Sequence, residues 1–596
     1  MNYDGWQTLP AMFFDMAARS ADKPLLWAKR AGAWRPTTRA EAAATAASLA
    51  AALRTLGIQP GDRVMLAAEN RPEWPIADLA IMSIGAITVP AFTTNTTGDH
   101  RHVLSHSGAR GVIVSTRAIA ERVLPAALEA HDLNFVVTME NLPMAQRIAK
   151  KLVNWRDLLA AGEGRTDDLD GAIARLGRGD TCCFIYTSGT GGTPKAVMLT
   201  HGSILCNCRG AYHLLRDLGV GREVFLSFLP LSHAYEHTVG QFFPMTIAAQ
   251  IYYAESVEKL TENMVEVRPT IMTAVPRLYE AMYQRIQRGI AKATPLQRRL
   301  FRLALDLGRR RQEQPGSLGP IDRLRDLFVE LTVRRKLRKR FGGRLKAWVS
   351  GGAALNEEIG MFFLALGVRL LQGYGQTEAS PVVSANPPRR IKIRTVGPAV
   401  AGVEIAIAPD GEILVRSEAV MKGYWRDEAA TAAAIQDGWL HTGDIGTLDG
   451  EGYLRITDRK KDIIVLSGGD NVSPARVEGF LVLQPEIDQA MIHGDRHPHL
   501  VALLVPDADF IKAWVQRQGG SPDLPRLAQD REFHRALGQV IDRVNAGLSP
   551  IERIRRFALA AEPFSTDNGM LTVSLKIRRH KIVERYGALL ERLYTP

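Results

Sequence analysis

Cysteine is scarce: four in 596 residues, placed as Cys182/Cys183 and Cys206/Cys208. Neither pair has a metal-ligand spacing, and four thiols cannot staple a chain of this length, so reduced thiols in a cytoplasmic protein are expected. Long apolar runs are missing too. No stretch of 18 or more apolar residues occurs, which excludes a spanning helix of the usual kind. The first residues lack the basic-then-apolar order of a secretory signal, and Asp15 interrupts their best apolar run. No recognised nucleic-acid module accompanies the basic residues, so nucleic acid is not an expected partner.

Charge is present but unevenly placed. The whole chain carries +12, whereas residues 281–344 alone hold 18 Lys/Arg against 5 Asp/Glu, a surplus of 13 that leaves the remainder nearly neutral. This insertion contains Arg309-Arg310-Arg311 and Arg334-Arg335-Lys336-Leu337-Arg338-Lys339-Arg340, with leucines at roughly helical spacing. Three readings fit it: a helix attracted to anionic membrane headgroups, a face that draws in acidic substrates, or a solvated insertion with no partner. Peripheral membrane contact and a homodimer both stay open.

The densest chemistry lies in Tyr186-Thr187-Ser188-Gly189-Thr190-Gly191-Gly192-Thr193-Pro194-Lys195. Apolar runs on either side, Cys182–Tyr186 and Ala196–Leu199, read as strands. A glycine-rich turn between strands can aim consecutive N–H groups at one point and form an anion nest. Its hydroxyls add donors and Lys195 adds a mobile cation, so a polyphosphate is the natural guest. The loop is not the common nucleotide-binding one, because Pro194 precedes the lysine and a short apolar run follows it.

Elsewhere the pattern is that of an α/β protein. Residues 1–55 read as mostly helical, over 11–21 and 39–54. Strand 63–68, helix 72–85 and strand 86–90 then make a β-α-β unit, which implies a parallel sheet with covering helices. Another strand is expected at 111–115, and 140–179 is weakly patterned. Ser350-Gly351-Gly352 and Gln372-Gly373-Tyr374-Gly375-Gln376-Thr377-Glu378 both follow strand-like runs, where parallel sheets release loops toward a ligand. Gly351 and Gly352 would admit a flat ring, and Tyr374 offers a stacking face. Thr377 supplies a hydroxyl for a phosphate, and Glu378 a hard oxygen of the kind Mg²⁺ prefers. Asp444, after a Thr-Gly turn, suits two vicinal ribose hydroxyls. His233 and His237 lack the spacing and third ligand of a zinc site and read as pocket residues, with a core histidine or helix cap as the alternative.

The phosphate loop, Pro230-Leu231-Ser232-His233, the basic insertion, Gly343-Arg344-Leu345-Lys346 leading to Gly351-Gly352-Ala353-Ala354-Leu355, and Tyr374-Gly375-Gln376-Thr377-Glu378 occur in one order along the chain. In that order they resemble long-chain fatty acyl-CoA synthetases of the adenylate-forming, AMP-binding superfamily, over essentially the whole chain. The resemblance implies a large N-terminal domain, 1–458, with the ATP and acyl sites, and a small mobile α+β domain, 459–596. It implies that Thr187, Ser188, Gly189, Thr190, Thr193 and Lys195 meet ATP phosphates. Gly351, Gly352, Gln372, Gly373, Tyr374, Gly375, Thr377, Asp444 and Arg459 would complete the nucleotide site, and Thr187 with Glu378 would hold Mg²⁺. His233 and His237, with Gly351, would line or gate the acyl pocket. Lys461 would be the hinge, Gly468 and Gly469 the coenzyme A tunnel face, and Lys195, Thr377 and Lys576 the catalytic groups. Val573 departs from the proline usual in that last segment.

The reaction so implied activates a fatty acid with ATP to acyl-AMP and transfers it to coenzyme A. Two other readings share these motifs: a ligase loading an acyl carrier protein, and a silent ATP- or lipid-binding regulator. Acyl chain length is not legible.

Overall fold

Strands of four to seven residues, mostly apolar in the sheet centres and bounded by turns, suit a sheet covered on both faces. The chain builds two such sheets. The computed structural model describes residues 3–141, 150–165, 168–187, 193–460, 462–518, 521–572 and 576–595. Within them, Arg63–Ala67, Ile87–Pro90, Gly111–Val114, Phe135–Thr138 and Lys151–Asn154 run parallel in one eight-stranded sheet. That sheet continues through Thr181–Thr187 into the antiparallel strand Lys195–Thr200 and ends on the two-residue strand Gly423–Tyr424. The expected β-α-β unit is present, with helix Glu73–Ser83 as its crossover.

The second eight-stranded sheet has a parallel centre, including Val224–Ser227, Ile271–Ala274, Ala347–Ser350 and Leu370–Gly375. Its far edge is a hairpin of Pro24–Arg30 and Ala33–Thr38. This hairpin corrects the helical expectation for residues 1–55, where only Leu9–Ala18 and Arg39–Thr55 are helices. The turn works because Ala31 and Gly32 both take positive φ, 50° and 77°. Such primed turns usually announce themselves with Asn-Gly, and alanine conceals this one.

A five-stranded antiparallel sheet follows, ending with Trp439–Leu448 paired to Leu454–Arg459. Beyond Arg459 a separate apolar core begins at Ile464 and includes Ile487, Leu500, Leu504, Phe533 and Leu537. It is built on a three-stranded sheet, Ile487–His493, Leu500–Pro506 and Ile554–Leu559, covered by helices. Ion pairs seat this C-terminal unit on the preceding one. Arg277 meets Asp488 at 2.6 Å, Arg288 meets Asp507 at 3.7 Å and also Asp509, and Asn356 Nδ2 donates to the Gly479 carbonyl at 3.1 Å.

Candidate active site

The loops leaving the parallel strands, the 181–200 hairpin and the C-terminal unit enclose one cavity of about 2630 Å³. Pockets for single small ligands run to roughly 1,000 Å³, so this space suits more than one substrate. Thr187 and Lys195 are register partners at the base of the hairpin, and both line the cavity. Ser188, Gly189 and Thr190 lie outside the described residues, as do Lys461 and Val573; Thr193 is exposed and does not line the cavity.

Lys195 has two partners that sequence reading left without roles. Its ammonium lies 3.2 Å from Asp427 and 4.9 Å from the centre of the Tyr424 ring. The Tyr424 hydroxyl in turn donates to Glu378 at 2.9 Å. Pairing of Gly423–Tyr424 with the far strand of the hairpin creates this chain of contacts from Lys195 to Glu378. No local signal foretells it.

Asp444 and Arg459 are also register partners, on neighbouring antiparallel strands. Arg459 Nε donates to Asp444 Oδ1 at 3.1 Å, and the Tyr374 hydroxyl donates to Oδ2 at 2.6 Å. Burial, then the Asp444 charge, holds the Tyr374 phenol well above its ordinary range, so it stays a donor. Glu412, another residue not foreseen, accepts from the Gly443 amide at 2.8 Å and from Lys460 at 3.3 Å. It thereby orients Thr442-Gly443-Asp444, which is an irregularity inside the strand Trp439–Leu448, with Gly443 at φ 70°, rather than the expected turn.

Gln372, Gly373, Gly375 and Thr377 line the same cavity, as do Gly351 and Gly352. Gly351 is needed for a reason other than the expected ligand ring: a Cβ there would come within 3.1 Å of the Tyr235 ring. The Tyr235 hydroxyl donates to the Val349 carbonyl at 3.0 Å, which pins that ring against the glycine.

Lys576 arrives from the C-terminal unit. An antiparallel bridge between Leu571 and Ile577 carries it, and its ammonium is buried in the cavity. Burial, with nearby Arg459 adding repulsion, lowers its pKa to about 8, while Asp444 and Glu378 act in the opposite direction. The same cation reaches His233, whose pKa falls to about 4, mainly through burial. His233 is therefore neutral; its Nδ1 accepts from the Tyr235 amide at 3.2 Å, which leaves the proton on Nε2. Gly468 and Gly469 sit in the tight turn between Ile464–Val465 and Asn471–Val472 and do not line the cavity in this orientation.

His237 differs from the expected pocket or gate position. It lies on a π-helix, Glu236–Phe242, fully buried, with Nε2 2.9 Å from Asp78 Oδ2, and it does not line the cavity. Tyr235 and Val239, four residues apart, share the face toward the cavity, while His237, midway between them, turns inward to an acid from the first sheet's crossover helix. Adjacent Glu236 is buried with its carboxyl folded over Gly240, where a Cβ would sit 2.2 Å from the carboxyl carbon. Thr273 donates to Glu236 Oε2 at 2.6 Å, while Oε1 has no partner among the described residues.

Burial raises the Glu236 pKa to about 7, against 4.5 for an exposed glutamate. The folded state keeps the proton that the unfolded chain releases. Its stabilisation is complete below pH 4.5 and is lost as pH rises to 7, by about 3 kcal/mol. Glu236→Gln should remove that loss, so that in urea titrations the variant gains on the parent between about pH 5 and 7. Parallel stability curves would contradict a buried neutral acid.

This geometry matches what the comparisons find. The AMP-binding enzyme family profile matches residues 13–425, and that of the AMP-binding enzyme C-terminal domain matches 461–596. The chain belongs to the AMP-binding enzyme family. Among curated members, the "Long-chain-fatty-acid--CoA ligase FadD15" of Mycobacterium tuberculosis is 34% identical over 574 residues, 95% of this chain and 93% of that one. "Long chain acyl-CoA synthetase 6, peroxisomal" of Arabidopsis thaliana is 30% identical, over 94% of this chain and 82% of its own length. Of solved structures, the adenylation domain of a carboxylate reductase from Mycobacterium chelonae superposes with a TM-score of 0.76 at 22% identity, covering 99% of this chain and 92% of that one. An anthranilate CoA ligase in complex with anthranoyl-AMP gives 0.73 at 20% identity, with both chains covered completely. At these identities the structures speak for a shared fold.

Proposed function

We propose that this AMP-binding enzyme converts a long-chain fatty acid, ATP and coenzyme A into acyl-CoA, AMP and pyrophosphate. The observation that carries the reading is the entry of Lys576, from the C-terminal unit, into a cavity that also holds Asp444, Arg459 and Glu378. Relatives whose names specify long-chain acids support the substrate class. Ala211, Leu214, Leu215 and Val239 give one part of the cavity an apolar wall suited to an acyl chain.

A free carboxylate is a poor acyl donor because its leaving group would be oxide. Here a carboxylate oxygen attacks the α-phosphorus of ATP, the bond to pyrophosphate breaks, and a mixed anhydride forms. Such phosphoryl transfer asks the protein mainly to position groups and to neutralise charge. Lys576 spans the incoming carboxylate and the α-phosphate. Lys195, with Thr187 and the hydroxyls and amides of 188–190, grips the β- and γ-phosphates, and Thr377 meets the α-phosphate. Tyr374 stacks on the base above Gly351 and Gly352, Asp444 accepts from the ribose hydroxyls, and Arg459 steadies Asp444.

Glu378 and Thr187 fit a divalent cation: Glu378 Oε2 carries no hydrogen bond among the described residues, while Oε1 is held by Tyr424. A bound Mg²⁺ would neutralise phosphate charge there. For thiolysis, the C-terminal domain, taken from residue 459, turns about Lys461, withdraws Lys576 and presents the Gly468–Gly469 turn to the pantetheine arm. His233, a neutral donor at the acyl end, stays behind.

The test is ATP/pyrophosphate exchange with acids of short to long chain, followed by product analysis with coenzyme A or a pantetheinylated carrier protein. Exchange should require a long-chain acid, and thioester should form on coenzyme A. Absence of exchange with every acid would overturn the adenylation reading; thioester on the carrier protein alone would overturn the acceptor.

A further inference from the structure

The basic insertion presents a face that this reaction does not use. Helix Pro295–Glu313 and helix Pro320–Val329 form an antiparallel pair, tied by Arg310 to Asp322 at 2.8 Å and Arg311 to Asp326 at 3.0 Å. Buried Arg334 completes the clasp, donating to Asp326 at 2.6 Å and to the Ala304 carbonyl at 2.8 Å. One side of the second helix is thus fastened to the protein, with Val329 fully buried.

Its other side, continued into the π-helical turn Glu330–Arg334, is apolar and bare. Ile321, Leu324, Leu327, Phe328 and Leu331 are between 51% and 70% exposed. Their spacing of three and four residues places them along one stripe. Twelve large apolar side chains are exposed among the described residues, and five of them fall in these eleven positions. A stripe this concentrated marks a contact surface rather than ordinary scatter.

Charge identifies the occupant. Asp322, Asp326 and Glu330 are all engaged by arginines of the insertion itself. Arg335, Lys336, Lys339 and Arg340 are exposed and make no ion pair among the described residues, and neither do Arg299 and Arg302. The 335–340 segment directly follows Arg334, whose guanidinium reaches the Ala304 carbonyl, and Arg299, Arg302 and exposed Leu296 lie on the helix that carries Ala304. A second copy docking face to face would oppose two surpluses of 13 positive charges. An anionic lipid surface answers both features, taking up the apolar stripe and pairing with the cations.

We infer that the exposed face of the 320–331 segment docks on anionic membrane, with Ile321, Leu324, Leu327, Phe328 and Leu331 entering the headgroup boundary and the flanking Arg/Lys residues meeting lipid phosphates. The inference does not depend on the reaction proposed above, because its test reads binding.

The full chain is sedimented with phosphatidylcholine vesicles made with or without phosphatidylglycerol. Binding should require the anionic lipid and weaken as salt is raised. Leu324→Ser/Phe328→Ser/Leu331→Ser should reduce it by about tenfold or more, and so should Arg335→Gln/Lys336→Gln/Lys339→Gln. Thermal unfolding and ATP/pyrophosphate exchange should match the parent in both variants. Equal binding to neutral vesicles, or binding indifferent to both variants, would overturn the inference. So would a dimer in sedimentation equilibrium that the serine variant dissociates, since a second copy would then cover the stripe.

Discussion

Lys576→Ala should form acyl-AMP about 100- to 1000-fold more slowly than the parent, the loss typical of removing a donor aimed at developing charge. The same variant should convert supplied acyl-AMP and coenzyme A to acyl-CoA at close to the parental rate, as the proposed withdrawal of Lys576 from the cavity for that half-reaction requires. The structure adds two further readouts. With the ammonium titrating near pH 8, kcat/KM for ATP in the parent should fall tenfold per pH unit above that value, and the alanine variant should lose this limb. Stability should move the opposite way from activity. Below pH 8 the folded protein keeps a poorly solvated ammonium that the unfolded chain solvates freely. That penalty is about 3 kcal/mol at neutral pH and fades as pH climbs from 8 toward 10.5. Lys576→Ala should therefore raise the thermal midpoint at pH 7. Equal losses in both half-reactions would remove the two-orientation picture altogether.

Asp444→Asn is the second large effect. Asp444 accepts from Tyr374 at 2.6 Å and from Arg459 at 3.1 Å, and it is one of two carboxylates that raise the Lys576 pKa. Truncating one partner of a buried, hydrogen-bonded charge pair costs about 2–5 kcal/mol, so kcat/KM for ATP should drop by about 30-fold or more. The variant should also move the alkaline limb of the pH profile below 8, since Arg459 would then act on Lys576 with only Glu378 opposing it. A merely structural role for Asp444 would lower the amount of folded protein without displacing that limb. An unchanged limb together with an ATP KM within about threefold of the parent would refute the assignment to ribose.

Glycine, hydroxyl and carboxylate residues at the ends of apolar runs made most of the cavity lining legible, because parallel sheets deliver their loops to one edge. Thr187, Lys195, Tyr374, Thr377, Glu378, Asp444 and Lys576 all reach that cavity. Two kinds of information were hidden. Tyr424, Asp427 and Glu412 act through pairings between distant strands, where sequence neighbours carry no trace of the partner. His237 was misplaced because it lies midway between Tyr235 and Val239 on the helix and faces away from the cavity, and nothing in the local sequence says which face the cavity takes.

By itself the sequence determined the layered α/β architecture, the absence of a long apolar span, the strand–glycine-rich loop–strand of 181–200 and the concentration of positive charge in one insertion. These follow from local preference, from the period of apolar residues and from simple counting. Tertiary structure alone decided that Lys576 shares a cavity with residues far earlier in the chain, that His237 belongs to Asp78, and that one stripe of the insertion is left uncovered. Each of those depends on which surfaces remain after two large sheets and a C-terminal domain have packed, and packing of that kind is set by long-range complementarity that no short window of residues contains.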